Sequence, residues 1–468
     1  MSVLEELALR GRRAVDKADA RTRSLAALHV LDTLGCVVAG TSHPLARQLD
    51  RFTVATGVPG ELRTPALPGR HPLRTTVWAE AVLAHADEYD ALHPAAAVVP
   101  AAVVVPAAVA VADREGRPGR AAVDAVIAGY EVMVEAGLRF GGPRMYGAGW
   151  WPTAVLGALG SAAAAAVLLD LGHEETAAAL GLAAAGLGGL LSADDLGAGH
   201  YLLAGRAAAD GAEAAHLARV GARASHSLLD GPAAAALGTS AAPVSAEAEP
   251  HVNGCVFKAY PCARPLHAAL DALEALEVRG LPVAAARRIE IRLPGALLRF
   301  VTADRAPAGP TEAAASAVFA VAAWLHGAAT DVGFFRGPLP PGVPEVVLGH
   351  CPELDAHLPD RWGARVIVDL ADGRRVREEV LGGAGDAART LAGEAVTAKF
   401  RRNVGAGDGD GDWTRWIARC LSLDTVSDVG DLRHTLCRLA PPERLRRPAV
   451  PSPARNAHPH SRIREEQA

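Results

Sequence analysis

Residues 153–169, TAVLGALGSAAAAAVLL, and residues 176–191, TAAALGLAAAGLGGLL, are built almost wholly from alanine, glycine and leucine. Runs of this length read as helices, and side chains this small let helix axes approach closely, so the pair predicts buried helix-on-helix packing. The joint between them, DLGHEE, sets a glycine stop before acids suited to the first turn of the next helix. Composition agrees over the whole chain of 468 residues: 50% are apolar but only 4% aromatic, which suits close-packed helices better than a bulky-cored sandwich or barrel. A chain of this length exceeds what one hydrophobic core usually serves, so two domains are expected.

Working outward, residues 21–50 carry apolar residues at helical spacing with a break at GTSHP, giving two consecutive helices. Residues 95–112 are apolar enough to raise a membrane span, but Pro100 and Pro106 interrupt them and alanine dominates, so a buried helix is the better reading. After residue 280 the period changes to two: RRIEIRL, then ARVIVDL and RRVREEV on either side of Asp372-Gly373, a hairpin. The apolar segment TEAAASAVFAVAAWLHG between them predicts a helix covering one face of a small sheet. The expected fold is therefore mainly α, with an all-helical domain over residues 1–265 and a smaller α+β lid domain over 266–385. A helical return over 386–440 would pack on the first domain, and 441–468, rich in Pro, Arg and His, reads as a disordered tail.

Several function classes fall away. A formal charge of −5 from interspersed acids and arginines leaves no nucleic-acid footprint and no polybasic membrane patch. The six cysteines are scattered without paired spacing, which points to a reducing cytoplasm and to neither a zinc framework nor disulfides. The N-terminus reads as a charged amphipathic helix and not an export signal. No Walker loop or dinucleotide fingerprint appears. The run GAGDGDGDW at 405–413 spaces Asp408, Asp410 and Asp412 like a calcium loop, but Arg419 stands where the twelfth-position Glu belongs, so an acidic turn is expected.

Chemistry is concentrated in four islands. HADEYDALHP at 85–94 sets three acids and two histidines between apolar runs; His85 and Tyr89 would share a helix face, and Glu88, Asp90 and His93 need polar company or water. Taken alone, a solvated, acid-rich helix end is the plainer reading of the cluster. NGCVFKAYPCARPLH at 253–267 places Lys258 before a Tyr260-Pro261 turn, ahead of Arg264. Only Lys17, Lys258 and Lys399 are lysines, so an ammonium here suggests a compact, adjustable donor, with a snorkelling helix-end lysine as the plain alternative. YGAGWWPTAVLG at 146–157 offers Trp150 and Trp151 as pocket walls or as core anchors. The segment at 197–218 puts His200 five residues ahead of Gly205-Arg206, at a helix opening.

In order and spacing these islands resemble the MmgE/PrpD family over most of residues 20–400. The matching pieces are HVLDTLGCVVAG, HADEYD with its HP and VVP, the GYE helix, the W-P-T turn, AGRAAADGAEAAHLARVG, KAYPCARPLHAALDAL and AKFRRN. The resemblance implies an all-helical domain carrying the site, an α+β domain covering it, a homodimer, a small-molecule carboxylate substrate, and no metal or organic cofactor. Members dehydrate, decarboxylate or epimerise polycarboxylates through an enediolate, which requires a base and cationic groups facing the developing charge.

Carried over by motif, the resemblance places Glu88, Asp90, His93 and Lys258 at the site, with His200 where the family has lysine and Trp151 where it has histidine. Glu80 stands for an asparagine, and Ser316 and Phe319 for a serine and a tyrosine. An indole carries no proton to substrate, and an imidazole at 200 makes the charge conditional on pH. The expected chemistry assigns proton handling to Glu88 or Asp90 and His200, and carboxylate binding to His93 and Lys258. Tyr89, Trp150, Trp151, Tyr260 and Arg264 would complete the substrate site, for a substrate less charged or more aromatic than methylcitrate. The alternative is a catalytically inactive relative that binds a small molecule or serves as an assembly subunit.

Overall fold

The computed structural model describes residues 1–191, 198–238, 249–383, 393–407 and 409–441. The 442–468 tail and Asp408 lie outside the described residues. A large helical domain is joined to a smaller α+β domain built on a four-stranded mixed sheet.

The helical domain is organised around the alanine-rich helix Pro152–Leu168, buried on nearly every face and packed by Pro100–Arg114, Gly119–Arg139 and Ala198–Arg219. Close approach is what the small residues provide. A Cβ on Gly129 would lie 2.5 Å from Val104 and 2.8 Å from the Gly160 carbonyl, and one on Gly211 would lie 2.3 Å from the Ala158 carbonyl. The second alanine-rich segment forms His173–Ala185 and stops at Gly186, short of the predicted residue 191, because residues 189–191 turn back to bond Trp151 and Gly149. The break at GTSHP ends Ala20–Gly40, and His43 caps the next helix, Pro44–Thr56, through Nδ1. Ala20–Gly40 is long and apolar enough to cross a membrane, but 83% of its apolar window is buried inside the protein. From Pro100 the apolar run likewise forms a core helix, Pro100–Arg114, with Pro100 at its first position and Pro106 inside it.

Two buried cations tie late helices to this domain. Arg433 of the helix Val429–Leu439 reaches Glu80 and Asp113, while Lys399 of Gly393–Val404 lies 2.7 Å from Asp32. Glu80, which also accepts from Thr64 at 2.6 Å, thus works in the scaffold and not in a pocket. Asp410, placed by sequence in an acidic turn, caps the helix Gly411–Leu421.

In the α+β domain β1 (Ala286–Leu293), β2 (Glu345–His350), β3 (Ala364–Leu370) and β4 (Arg375–Val380) lie in the order β2-β1-β3-β4. The hairpin β3–β4 turns through Asp372-Gly373, with Gly373 at φ +88°. β2 pairs parallel to β1, so it needs a long crossover and carries no hairpin signal in the sequence. Ile289, Ile291, Val366 and Val368 face the helices His267–Val278 and Ala317–Leu325 in a separate core. The predicted covering helix is in fact two, Pro310–Ala315 and Ala317–Leu325. Ser316 is extended between them, donating to the Asp304 carbonyl at 2.7 Å and capping Phe319. Phe319 is buried in this core, away from the cavity described next.

Candidate active site

Helix Leu73–His85 ends at His85, so the acidic island is not a continuation of it. Glu88 takes φ +52°, and the turn carries Asp90 back beneath the imidazole. This corrects the expectation that His85 and Tyr89 share a helix face. The turn places both Asp90 oxygens at 2.9 and 3.0 Å from His85 Nδ1. Just beyond, Leu92 and Val256 exchange backbone hydrogen bonds of 3.1 and 2.8 Å, which pins the Lys258 segment beside the acidic turn. Lys258 Nζ donates to Glu88 Oε2 at 2.7 Å. From the first turn of Ala198–Arg219, His200 brings its Nε2 to 3.1 Å from His85 Nε2. Trp151, at the N-terminus of Pro152–Leu168, stacks on His200 with ring centroids 3.6 Å apart.

His85, Glu88, Lys258, His200 and Trp151 line a cavity of about 110 Å³ where the two domains meet. His85, Glu88, Trp151, His200 and Lys258 come from the helical domain, and Arg264, Phe300, Thr311 and Trp362 from the chain leading into and through the α+β domain. Tyr146, Phe300 and Trp362 also wall a second, largely apolar cavity of about 540 Å³. Between the domains, Arg336 grips Asp87 through two nitrogens and donates to the Ala39 carbonyl at 2.9 Å, beside the acidic turn.

The electrostatics follow from burial opposed by charge. Burial favours a neutral Glu88, yet Lys258, His85 and His200 outweigh it and hold its carboxyl at about 2. Burial also disfavours a charged His85, but Asp90 and Glu88 prevail and its pKa lies above the ordinary imidazole value. Burial pulls Arg264 down to about 10 against the pull of Asp271, which leaves the guanidinium charged at neutral pH. The cavity therefore presents an ionised carboxylate, two cations and a histidine pair.

The other sequence candidates lie around the cavity and not on its lining. Asp90 is fully buried behind His85. Tyr89 is buried and donates to the Ala259 carbonyl, while Tyr260 donates to Asp271 at 2.8 Å. Trp150 donates to the Ala236 carbonyl. His93 accepts from the Ala96 amide at 3.1 Å, and burial with the neighbouring His251 pushes its pKa to about 3. His85 enters the lining although motif reasoning left it out of the site, and Lys399 supports it from behind. Lys399 Nζ donates to the carbonyls of Tyr89 at 2.6 Å and Lys258 at 3.3 Å, bracing both arms. Its rarity as a lysine was the available signal.

Among curated proteins no match is found. The family model described as the MmgE/PrpD N-terminal domain matches residues 12–243, a span that contains the acidic turn, Trp151 and His200. By that match the chain belongs to the MmgE/PrpD family, a family of dehydratase type.

Proposed function

We propose that the protein is a lyase or isomerase that removes a proton next to a carboxylate and then expels water or carbon dioxide, using side chains alone as acid, base and anion partners. The observation that carries this reading is the chain Asp90–His85–His200, which opens on a cavity that Lys258 and Arg264 also line. Two neutral Nε2 atoms in contact need a proton between them. A proton arriving from substrate on His200 has its charge shared through His85 to buried Asp90, which orients the ring and stabilises the imidazolium. Electrons left on carbon pass into the adjacent carboxylate, and Lys258 and Arg264 face the enediolate so formed. His200 then returns its proton to the departing β-hydroxyl, which leaves as water as the carbon–carbon double bond forms; returned to the opposite face of the carbon, the same proton inverts the centre, and in a decarboxylation the carbon–carboxyl bond breaks in place of the carbon–hydrogen bond and His200 protonates the carbon left behind.

The walls favour a carboxylate with an apolar or aromatic body. Trp151 adds an indole face to the lining, and Phe300, Trp362 and Tyr146 continue into the larger cavity. We further propose a homodimer in a reducing compartment, the latter in keeping with six free cysteines, five of them buried; light scattering checks the former. The test of the reaction is incubation with di- and tricarboxylates and their aryl-substituted analogues, following formation of conjugated acid by ultraviolet absorbance and release of carbon dioxide. Turnover that disappears in K258A supports the reading; turnover unchanged in K258A removes the lysine from it.

A second reading is favoured by one contact. Trp151 stacks on His200, ring centroids 3.6 Å apart, and narrows the cavity they both line. In an inactive relative the indole would be a plug. W151H discriminates: it creates activity from an inactive parent on that reading, and only alters substrate preference on the first.

A further inference from the structure

Two imidazole nitrogens facing each other across 3.1 Å need either a hydrogen on one of them or a cation between them. A proton meets that need, and a metal ion meets it with the same lone pairs. Zinc–nitrogen bonds of about 2.0–2.1 Å set two ligating nitrogens about 2.9 Å apart at a right angle and about 3.4 Å apart at the tetrahedral angle. The 3.1 Å between His85 Nε2 and His200 Nε2 falls inside that span. Glu88 Oε1 completes the triangle, 3.6 Å from the first nitrogen and 4.0 Å from the second. We infer that His85, His200 and Glu88 form a binding site for one borderline divalent cation of the zinc(II) class, its open coordination positions facing the cavity these residues line.

The surroundings are those of a prepared donor set. Asp90 holds His85 Nδ1, which fixes the tautomer with its lone pair on Nε2 and raises its basicity, the usual second support of a metal-bound histidine. Trp151 stacked on His200 sets the orientation of that ring. Lys258 occupies Glu88 Oε2 and leaves Oε1 for the ion. Two imidazoles and one carboxylate suit zinc, cobalt(II) or iron(II), whereas calcium and magnesium require a shell of oxygens. The ion takes the lone pairs that the shared proton uses. If the proton-transfer reading holds, an occupied site is therefore a silenced one, reversed by chelator.

The test is binding, read independently of turnover. Full-length protein dialysed against chelator is titrated with zinc chloride alone by calorimetry, with bound metal counted by mass spectrometry. One saturable equivalent is expected, lost in H200Q and weakened about 10–100-fold in D90N. His458 and His460 near the C-terminus are common to every variant, so any zinc they hold is subtracted as background. Cobalt(II) in the wild-type protein gives the visible bands of a low-coordinate nitrogen and oxygen site, a measurement that stands even if H200Q does not fold. Absence of a saturable equivalent in folded wild-type protein, or an equivalent that persists in H200Q, overturns the site. Zinc binding without turnover of any carboxylate refutes the proton-transfer reading and leaves the metal site standing.

Discussion

Lys258 and Lys399 are the two buried lysines among three in a chain that otherwise uses arginine, and they occupy opposite kinds of place. Lys399 is sealed in the helical core against Asp32, two backbone carbonyls and the face of Tyr89, 4.0 Å from the ring centroid. Every donor is spent on the protein itself. Lys258 bonds Glu88 on the wall of a cavity, where another anion can reach it. A compact ammonium serves both places, but in the first it holds the backbone of the acidic turn and in the second it faces open space. The difference separates scaffold from site by geometry, with chemical type held constant.

The sharpest break of that comparison is K399A. It leaves the Asp32 carboxylate buried without its cation, and should cost about 3–5 kcal/mol in denaturant unfolding, with activity falling along with the folded fraction. K258A should show the opposite balance: turnover falls about 10²–10³-fold, while the stability lost as Glu88 is left without its ammonium stays smaller than that lost in K399A. Should K258A melt as early as K399A, the two lysines are both scaffold.

Acid gives a third test. Glu88 has its carboxyl depressed to about 2, so the stability it contributes is fully present above its unfolded value near 4.5 and is lost as pH falls toward about 2. E88Q should remove that limb: its unfolding free energy changes less than the parent's between about pH 4.5 and 2, and the two curves differ by a constant at neutral pH. A smaller effect is expected at the clamp between domains. R336K replaces a two-nitrogen grip on Asp87 with a point charge, and should cost about 1 kcal/mol while raising KM more than it lowers kcat.

Much of the fold was legible because its signals are local. Alanine and glycine runs announced close-packed helices, and alternation around Asp372-Gly373 announced the β3–β4 hairpin. β2 was not legible, since a parallel strand finds its partner through a crossover and lacks a turn signal of its own. The end of the helix at His85 was hidden for another reason: HADEYD contains no glycine or proline, and Glu88 adopts a left-handed φ that sequence does not advertise. At the site, residue types singled out Glu88, His200, Lys258 and Trp151. The contact between His85 and His200 spans 115 residues and exists only once two helices are packed, so the pair on which the proposed proton chemistry rests could not be read in advance.

The most direct measurement is proton NMR of the purified protein in deuterated water with a panel of di- and tricarboxylates and aryl-substituted analogues, watching the α-proton signals. A carbon-acid site built on Asp90, His85 and His200 exchanges the α-proton of at least one member of the panel, at a rate that collapses in K258A. Folded protein that exchanges none of them contradicts that assignment and leaves the cavity a binding site plugged by Trp151.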